Sequence, residues 1–189
     1  MFVLALSFAW PLPSVAWSDD GAELQAGLAA YEVQDWPVAL RHLLPLAVKG
    51  DAEAQYRISR MYFEGWGLPK DACASTIWAE KAARQGHPFG AWSMSFAYDM
   101  PSGVRRNQEM AYRWMVYADK MGAPKAKENL DFMAGELTPE ERAAIDEDMK
   151  TWDPSKLPAP EYFVIDKSVV NDTELYFTLH AYLKVGPCD

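Results

Sequence analysis

Residues 62–86 read YFEGWGLPKDACASTIWAEKAARQG, and residues 98–122 read YDMPSGVRRNQEMAYRWMVYADKMG. The two stretches align at a shift of 36 positions, and this is the strongest internal periodicity in the chain. A period of 20 to 50 residues is typical of repeat proteins, so we expect a stack of similar units. Identical pairs at this shift include Ser59 and Ser95, Tyr62 and Tyr98, Gly67 and Gly103, Trp78 and Trp114, Ala82 and Ala118, and Gly86 and Gly122.

Each unit has the pattern of a helical hairpin. Asp35, Asp71 and Asn107 are good helix N-caps, and each precedes apolar residues at helical spacing. A glycine fifteen positions after each cap suits the left-handed turn that ends a helix. The predicted fold is all-α, a superhelical solenoid of about four hairpins over residues 21–152. The units are expected at about 21–50, 51–86, 87–122 and 123–152.

The last unit has a distinct start and end. Thr138-Pro139-Glu140-Glu141 has the pattern of a capping box with proline at the first helical position. The helix that follows is expected to run to about Trp152, where Asp153-Pro154 stops it. The acidic run from Glu140 to Asp148 is most simply a solvated helix face, and the alternative is that it repels anionic envelope polymers or attracts a basic partner.

Composition excludes several classes of protein. The 189 residues include 18 basic and 27 acidic side chains, for a net charge of −9, which argues against non-specific binding to nucleic acid. Half of the residues are hydrophobic, too many for an intrinsically disordered chain. No apolar run reaches the ~18–20 residues of a membrane-spanning helix, which excludes a multi-pass membrane protein.

The N-terminus has the layout of a secretory signal peptide. Residues 2–10 are apolar, prolines follow at 11 and 13, and Ser14-Val15-Ala16 places small residues for a cut after Ala16. No Lys or Arg precedes the apolar core, and a buried N-terminal helix is the alternative. We therefore expect residues 1–16 to be a signal peptide and the protein to be periplasmic or secreted.

The C-terminal extension, residues 153–189, does not continue the repeat. Three prolines up to residue 160 indicate an extended linker. Residues 175–184 alternate apolar and polar side chains, which favours a short β-hairpin. A helix through Leu175, Leu179 and Tyr182 fits the same stretch, so both remain open. An extension this apolar is expected to pack on the last hairpin or inside the superhelix.

The central units resemble a known repeat. Gly65-Trp66-Gly67-Leu68-Pro69-Lys70-Asp71, with Trp78, Ala82-Ala83 and Gly86, is similar to the Sel-one-like repeat, a relative of the tetratricopeptide repeat. The third unit departs from the pattern at Pro101, and serines at 59 and 95 replace a helix-packing glycine. The resemblance implies a right-handed α-superhelix that acts as a non-enzymatic adaptor in protein assembly, often in bacterial envelopes.

In tetratricopeptide-like units the first helix of each hairpin lines the concave face. By this register Glu53 and Asp99 face the concavity, together with a mostly aromatic set. Aromatic and Arg anchors in a concavity are typical of binding hot spots. The alternative is that these rings pack on neighbouring helices or lie under the C-terminal extension. The predicted binding residues are Tyr56, Arg60, Phe63, Phe89, Trp92 and Phe96.

The chain has two cysteines, Cys73 and Cys188. Cys73 follows a helix cap by two positions and is expected to be exposed. An even count in an oxidising compartment favours a Cys73–Cys188 disulfide. Unpaired thiols or pairing between chains are the alternatives. No His, Cys or carboxylate pair has metal-ligand spacing, so neither a metal nor another cofactor is expected. His42 occupies the repeat position of Trp78 and is expected in the core.

The leading hypothesis is therefore a periplasmic or secreted adaptor that binds a peptide or protein segment on its concave face. One alternative is a β-lactam-hydrolysing or other cell-wall-directed enzyme, because a cysteine-rich branch of the repeat family has such a link. That branch has a cysteine pair in each repeat, and this chain does not. Another alternative is a cell-wall assembly factor whose aromatic rings stack on glycan.

Overall fold

The computed structural model describes residues 19–100 and 103–160. In these ranges the chain forms eight α-helices, and consecutive helices from the first to the seventh pack on each other, as predicted for an α-solenoid of about four hairpins. The predicted signal peptide and the predicted hairpin after residue 160 lie outside the described residues. The helices are α1 (Asp20–Glu32), α2 (Trp36–Lys49), α3 (Ala52–Glu64), α4 (Ala72–Arg84), α5 (Pro88–Asp99), α6 (Gln108–Lys120), α7 (Ala126–Met133) and α8 (Pro139–Asp148).

The predicted N-caps are confirmed. The side chains of Asp35, Asp71 and Asn107 each accept a hydrogen bond from the backbone N–H three residues later, at 3.3, 2.9 and 3.0 Å. The capping box at Thr138 is complete, because Thr138 and Glu141 each accept from the other's backbone N–H. Each cap satisfies donors that a helix start leaves without partners, which fixes where these helices begin.

The residues that repeat at 36 positions occupy equivalent buried positions. Trp78 of α4 and Trp114 of α6 are each 1% exposed. Ser59 and Ser95 are buried and reach the following helix: the two hydroxyl groups of Ser59 and Ser75 are 3.4 Å apart, and Ser95 donates to the carbonyl of Ala111 at 2.7 Å. The small serines therefore allow close helix contact and add a polar link inside each hairpin.

The long loops of the two central hairpins also match. Gly67 and Gly103 both have left-handed backbone, with φ of 68° and 81°. A Cβ at Gly67 would lie 2.5 Å from the Cβ of Trp36 in the preceding unit, and one at Gly103 would lie 2.8 Å from the Cα of Cys73. Each loop therefore contacts the unit before it at a distance that only glycine permits.

Three expectations were wrong. Cys73 is 2% exposed rather than open to solvent, because the loop at Gly103 covers the first turn of α4. His42 is only half-buried and its Nδ1 lies 2.6 Å from Glu23, since the described residues include no earlier hairpin to cover it. The last helix ends at Asp148, because the chain tightens into a turn and places Trp152 on Trp114, with 5.0 Å between ring centroids.

After α8 the chain returns to the second hairpin. A single 3₁₀ turn, Pro154–Lys156, lies against the C-terminal end of α4. The prediction of an extended linker is therefore confirmed only in part, because Pro154 begins a 3₁₀ turn. Across residues 19–100 and 103–160, no helix has the length and apolar content needed to cross a membrane.

Candidate functional site

Four aromatic rings form a continuous row across α3 and α5. Phe89, Trp92 and Phe96 share one face of α5, because they are three and four positions apart. Their ring centroids are 6.0 and 5.6 Å apart in sequence order. Tyr56 of α3 stacks on Phe89 at 5.5 Å and thus continues the row into the preceding hairpin.

A cavity of about 280 Å³ opens between α3, α4 and α5. Five of the six predicted binding residues line it: Tyr56, Arg60 and Phe63 from α3, and Trp92 and Phe96 from α5. The sixth, Phe89, is not part of the lining, and its ring stacks on that of Tyr56. We call this cavity the aromatic groove. Phe63 and Phe96 remain 38% and 36% exposed, so these rings keep a solvent-facing edge in the groove.

The floor of the groove comes from residues that sequence reasoning missed. The register placed only first helices on the concave face, yet α4 contributes Ser75, Thr76 and Ala79. Met100, just beyond α5, adds an exposed apolar side chain at one edge. The signal in the sequence was the run of small residues on α4, because small side chains let a second helix reach the bottom of a cleft.

Positive charge gathers beside Phe63. The guanidinium of Arg60 lies 5.7 Å from the Phe63 ring, and the Lys70 ammonium lies 5.6 Å from it. Arg60 donates to Glu64 at 2.6 Å, which holds its side chain in place and offsets part of its charge. This end of the groove therefore combines an exposed aromatic ring with two cations.

The hydroxyl of Tyr56 keeps its proton at neutral pH. Burial raises the pKa of this phenol, although nearby Arg60 and Arg57 act in the opposite direction. The group therefore offers both a hydrogen-bond donor and an acceptor to anything in the groove.

A polar link fixes the two walls of the groove relative to each other. His87, the N-cap of α5, accepts from the N–H of Gly90 through Nδ1 at 3.1 Å, and its Nε2 lies 2.9 Å from Glu53 of α3. Because Nδ1 accepts a hydrogen bond, Nε2 carries the ring hydrogen, and this N–H donates to the Glu53 carboxylate. This hydrogen bond, with help from Arg57, lowers the pKa of Glu53 to about 2. The Glu53 carboxylate therefore links α3 to α5 and is not part of the groove lining.

Other predicted positions lie apart from the groove. Asp99, predicted on the concave face, lines a separate cavity with Phe132 and Glu136. Cys188 lies outside the described residues, so its pairing with Cys73 stays a prediction. In the part of the chain that the structure describes, no three His, Cys, Asp or Glu side chains are grouped so as to hold a metal ion.

Comparison with known proteins agrees with this architecture. The family model of the Sel1 repeat matches residues 52–87 and 88–118, which are the second hairpin and most of the third. A solved structure described as c5321, a protective antigen of uropathogenic Escherichia coli strains with an SLR fold, superposes with a TM-score of 0.65. It is 21% identical and covers 83% of this chain and 35% of its own, so the likeness shows the fold alone.

A Sel1 repeat protein from Oxalobacter formigenes superposes with a TM-score of 0.56 at 25% identity, over 60% of this chain and 46% of its own. Chitin synthase regulatory factor 3 of Schizosaccharomyces pombe is 31% identical over 90 residues, or 44% of this chain and 10% of that protein. Chitin synthase regulator SKT5 of Saccharomyces cerevisiae is 29% identical over 83 residues, or 43% and 12%. The chain thus spans about a tenth of the length of these curated relatives.

Sel1 repeat proteins are typically non-catalytic scaffolds that bind other proteins. The chain has the sequence of this repeat in its two central hairpins and the same fold around them. Residues 52–87 and 88–118 are therefore two Sel1 repeats, in agreement with the resemblance to the Sel-one-like repeat seen in the sequence.

Proposed function

We propose that the protein is an adaptor that holds a segment of a partner protein in the aromatic groove. The observation that carries this proposal is the cavity between α3, α4 and α5, which has four rings and a cation in its lining. Large rings supply much contact area at low entropic cost, and exposed rings in a concavity are typical of binding sites. The two curated relatives are named as regulators of an enzyme, which fits a role through protein contact.

The size and charge of the groove suggest the kind of segment it takes. A volume of about 280 Å³ is at the lower end for ligand pockets, and it suits one or two bulky apolar side chains. Arg60 and Lys70 at the Phe63 end favour an acidic residue beside them. The expected partner segment therefore has an aromatic or branched aliphatic anchor followed or preceded by a carboxylate.

Peptides selected from a random phage-displayed library against the full chain provide the probe. In titration calorimetry, Phe96→Ala should weaken the selected peptide about 10-fold or more, because the ring forms part of the groove wall. Phe132→Ala is the matched control, since Phe132 is a 77% exposed ring on α7 outside the groove. Equal affinity of Phe96→Ala and the unchanged protein, or an equal loss in Phe132→Ala, would contradict the proposal.

We also propose that the protein works outside the cytoplasm, in a bacterial-type cell envelope or as a secreted protein. The support is the apolar stretch before Asp19 with small residues ahead of a cut after Ala16. N-terminal sequencing of the protein purified from expressing cells should give Trp17 as the first residue. A mature protein that still begins at Met1 and stays in the cytoplasmic fraction would refute export.

A further inference from the structure

Two buried hydroxyl groups belong to the lining of the aromatic groove. Ser59 of α3 and Ser75 of α4 line the cavity and are 1% and 6% exposed. Phe63 and Phe96 line the same cavity and are 38% and 36% exposed, so these rings lie nearer to solvent than the serines do. The groove is therefore aromatic towards its mouth and polar at its bottom.

The hydrogen bond between the two serines is long. Their hydroxyl oxygens are 3.4 Å apart, whereas O–H···O hydrogen bonds are usually about 2.7–2.8 Å long. Among the described residues, neither hydroxyl makes another hydrogen bond. Each hydroxyl can donate once and accept twice, so the pair keeps unused hydrogen-bonding capacity. A ligand that completes the hydrogen bonds of such buried groups gains free energy from them.

The next hairpin has no such pair. Ser95, at the repeat position of Ser59, donates to the backbone carbonyl of Ala111 at 2.7 Å. Ala111 lies 36 positions after Ser75 and has no hydroxyl, and neither Ser95 nor Ala111 lines the aromatic groove. Serine at position 75 therefore gives the second hairpin a loosely bonded hydroxyl pair where the third hairpin has a short link to the backbone.

The indole of Trp92 adds a further donor. Its Nε1 is buried and has no hydrogen-bond partner among the described residues. Trp78 and Trp114 leave the same atom unpaired in the core, whereas Trp92 belongs to the lining of the cavity. A ligand that brings an oxygen atom to this indole would satisfy a group that the protein alone leaves unpaired.

We propose that the anchor of the partner segment is a tyrosine whose hydroxyl binds Ser59 and Ser75 at the bottom of the groove. This inference rests on the proposed function, because it names the side chain that the groove takes. The phenol ring packs on the aromatic walls, and its hydroxyl donates to one serine and accepts from the other.

Other side chains satisfy only part of this lining. Phenylalanine and leucine would fill the cavity and leave the two hydroxyl groups without a new partner. The indole of tryptophan donates but does not accept, so it would serve one hydroxyl only. A carboxylate would lose its hydration beside the buried serines, and the guanidinium of Arg60 is held by Glu64. A phenol has an apolar body for the rings and a tip that both donates and accepts.

Two synthetic versions of the library-selected peptide test the proposal, one with tyrosine and one with phenylalanine at the anchor position. The anchor is the peptide residue whose replacement by alanine weakens binding most. Titration calorimetry with the unchanged protein should give about 10-fold tighter binding of the tyrosine peptide, because the phenylalanine peptide leaves the serines unpaired. Equal or tighter binding of the phenylalanine peptide would overturn the proposal.

Ser75→Ala, which introduces the side chain found at this position in the next hairpin, locates the bound hydroxyl. It should reduce the preference for tyrosine to about 2-fold or less and leave the affinity for the phenylalanine peptide unchanged. A general loss of structure would instead weaken both peptides equally. Ser59→Ala removes the other hydroxyl, should give the same result, and decides if Ser75→Ala does not fold.

Ser95→Ala is the matched control, because it removes a buried serine hydroxyl outside the groove. It should keep the full preference for tyrosine. An unchanged preference in Ser75→Ala and Ser59→Ala, or an equal loss of preference in Ser95→Ala, would overturn the proposal.

The two proposals fail separately. If both peptides bind equally well and both are weakened by Phe96→Ala, the groove stands and the tyrosine is refuted. If neither peptide responds to Phe96→Ala, the groove is refuted and this inference with it.

Discussion

The junction of the second and third hairpins differs from the next junction, between the third and fourth. At the first of these, α3 and α5 face each other across the aromatic groove. At the junction of the third and fourth hairpins, the helix that corresponds to α5 is the eight-residue α7. In α7, Glu128 occupies the position that corresponds to Trp92. Phe132 stands there 77% exposed. The same backbone arrangement thus gives an aromatic cleft at the junction of the second and third hairpins and a mostly polar surface at the junction of the third and fourth.

This difference distinguishes the residues that stabilise the repeat scaffold from the residues that line the groove. Trp78 and Trp114 repeat and are buried, as are Ser59 and Ser95. Tyr56 and Phe63 of the groove become Trp92 and Asp99 one unit later, whereas Phe96 is kept as Phe132. The repeated buried residues hold the hairpins together, and the changes at Tyr56 and Phe63 give one junction its aromatic lining.

The largest effect is expected from the repeated tryptophans. Trp78→Ala and Trp114→Ala should each lower the free energy of unfolding by about 3–5 kcal/mol, because each leaves a large cavity in a packed core. His42→Ala, at the same repeat position in the first unit, should cost only about 1 kcal/mol, since His42 is half-buried and paired with Glu23. Urea denaturation measures all three. A small loss in one tryptophan variant alone would break the equivalence of the two hairpins.

The next effect compares three left-handed glycines. Gly67→Ala should cost about 2–4 kcal/mol, since the new Cβ would lie 2.5 Å from that of Trp36. Gly103→Ala should cost a similar amount, because of the nearby Cys73 backbone. Gly122→Ala has the same sign of φ and nothing within 4 Å, so about 1 kcal/mol is expected. Equal melting temperatures for all three variants would show that the loops do not depend on close contact.

Much of this fold could be predicted from the sequence because its determinants are local. The caps at Asp71 and Asn107 and the glycines at the helix ends act within one turn of the chain. The groove was half predicted: the register found Tyr56 and Trp92, but not the floor from α4. That floor depends on how closely two hairpins approach, which is a property of packing rather than of spacing.

Neither the burial of Cys73 nor the contact of Arg84 with residues 154–158 could be predicted from the sequence, because both depend on packing between distant segments. Gly103 covers Cys73 from the next hairpin, and Arg84 binds carbonyl groups that carry no side-chain signature. No periodicity links such distant segments.

The smallest effect concerns the hydrogen bond between His87 and Glu53, which joins α5 to α3 beside the groove. The folded-state pKa of Glu53, about 2, is below its ordinary value of 4.5, so its stabilisation is complete above about pH 4.5 and is lost as the pH falls towards 2. After allowance for solvent screening this amounts to about 1–2 kcal/mol. Glu53→Gln should therefore flatten the fall in unfolding free energy between pH 5 and pH 3.

Glu140→Gln, an exposed change on α8, is the control for that pH series. Identical pH dependence in Glu53→Gln and Glu140→Gln would show that the His87 hydrogen bond does not stabilise the junction.

Hydrogen exchange of the full chain with and without a library-selected peptide tests the central claim most directly. The account predicts slower exchange on peptide binding in α3 and α5, residues 52–64 and 88–99, and unchanged exchange in α7. Protection confined to α7 and α8, or none in α3 and α5 at saturating peptide, would contradict it.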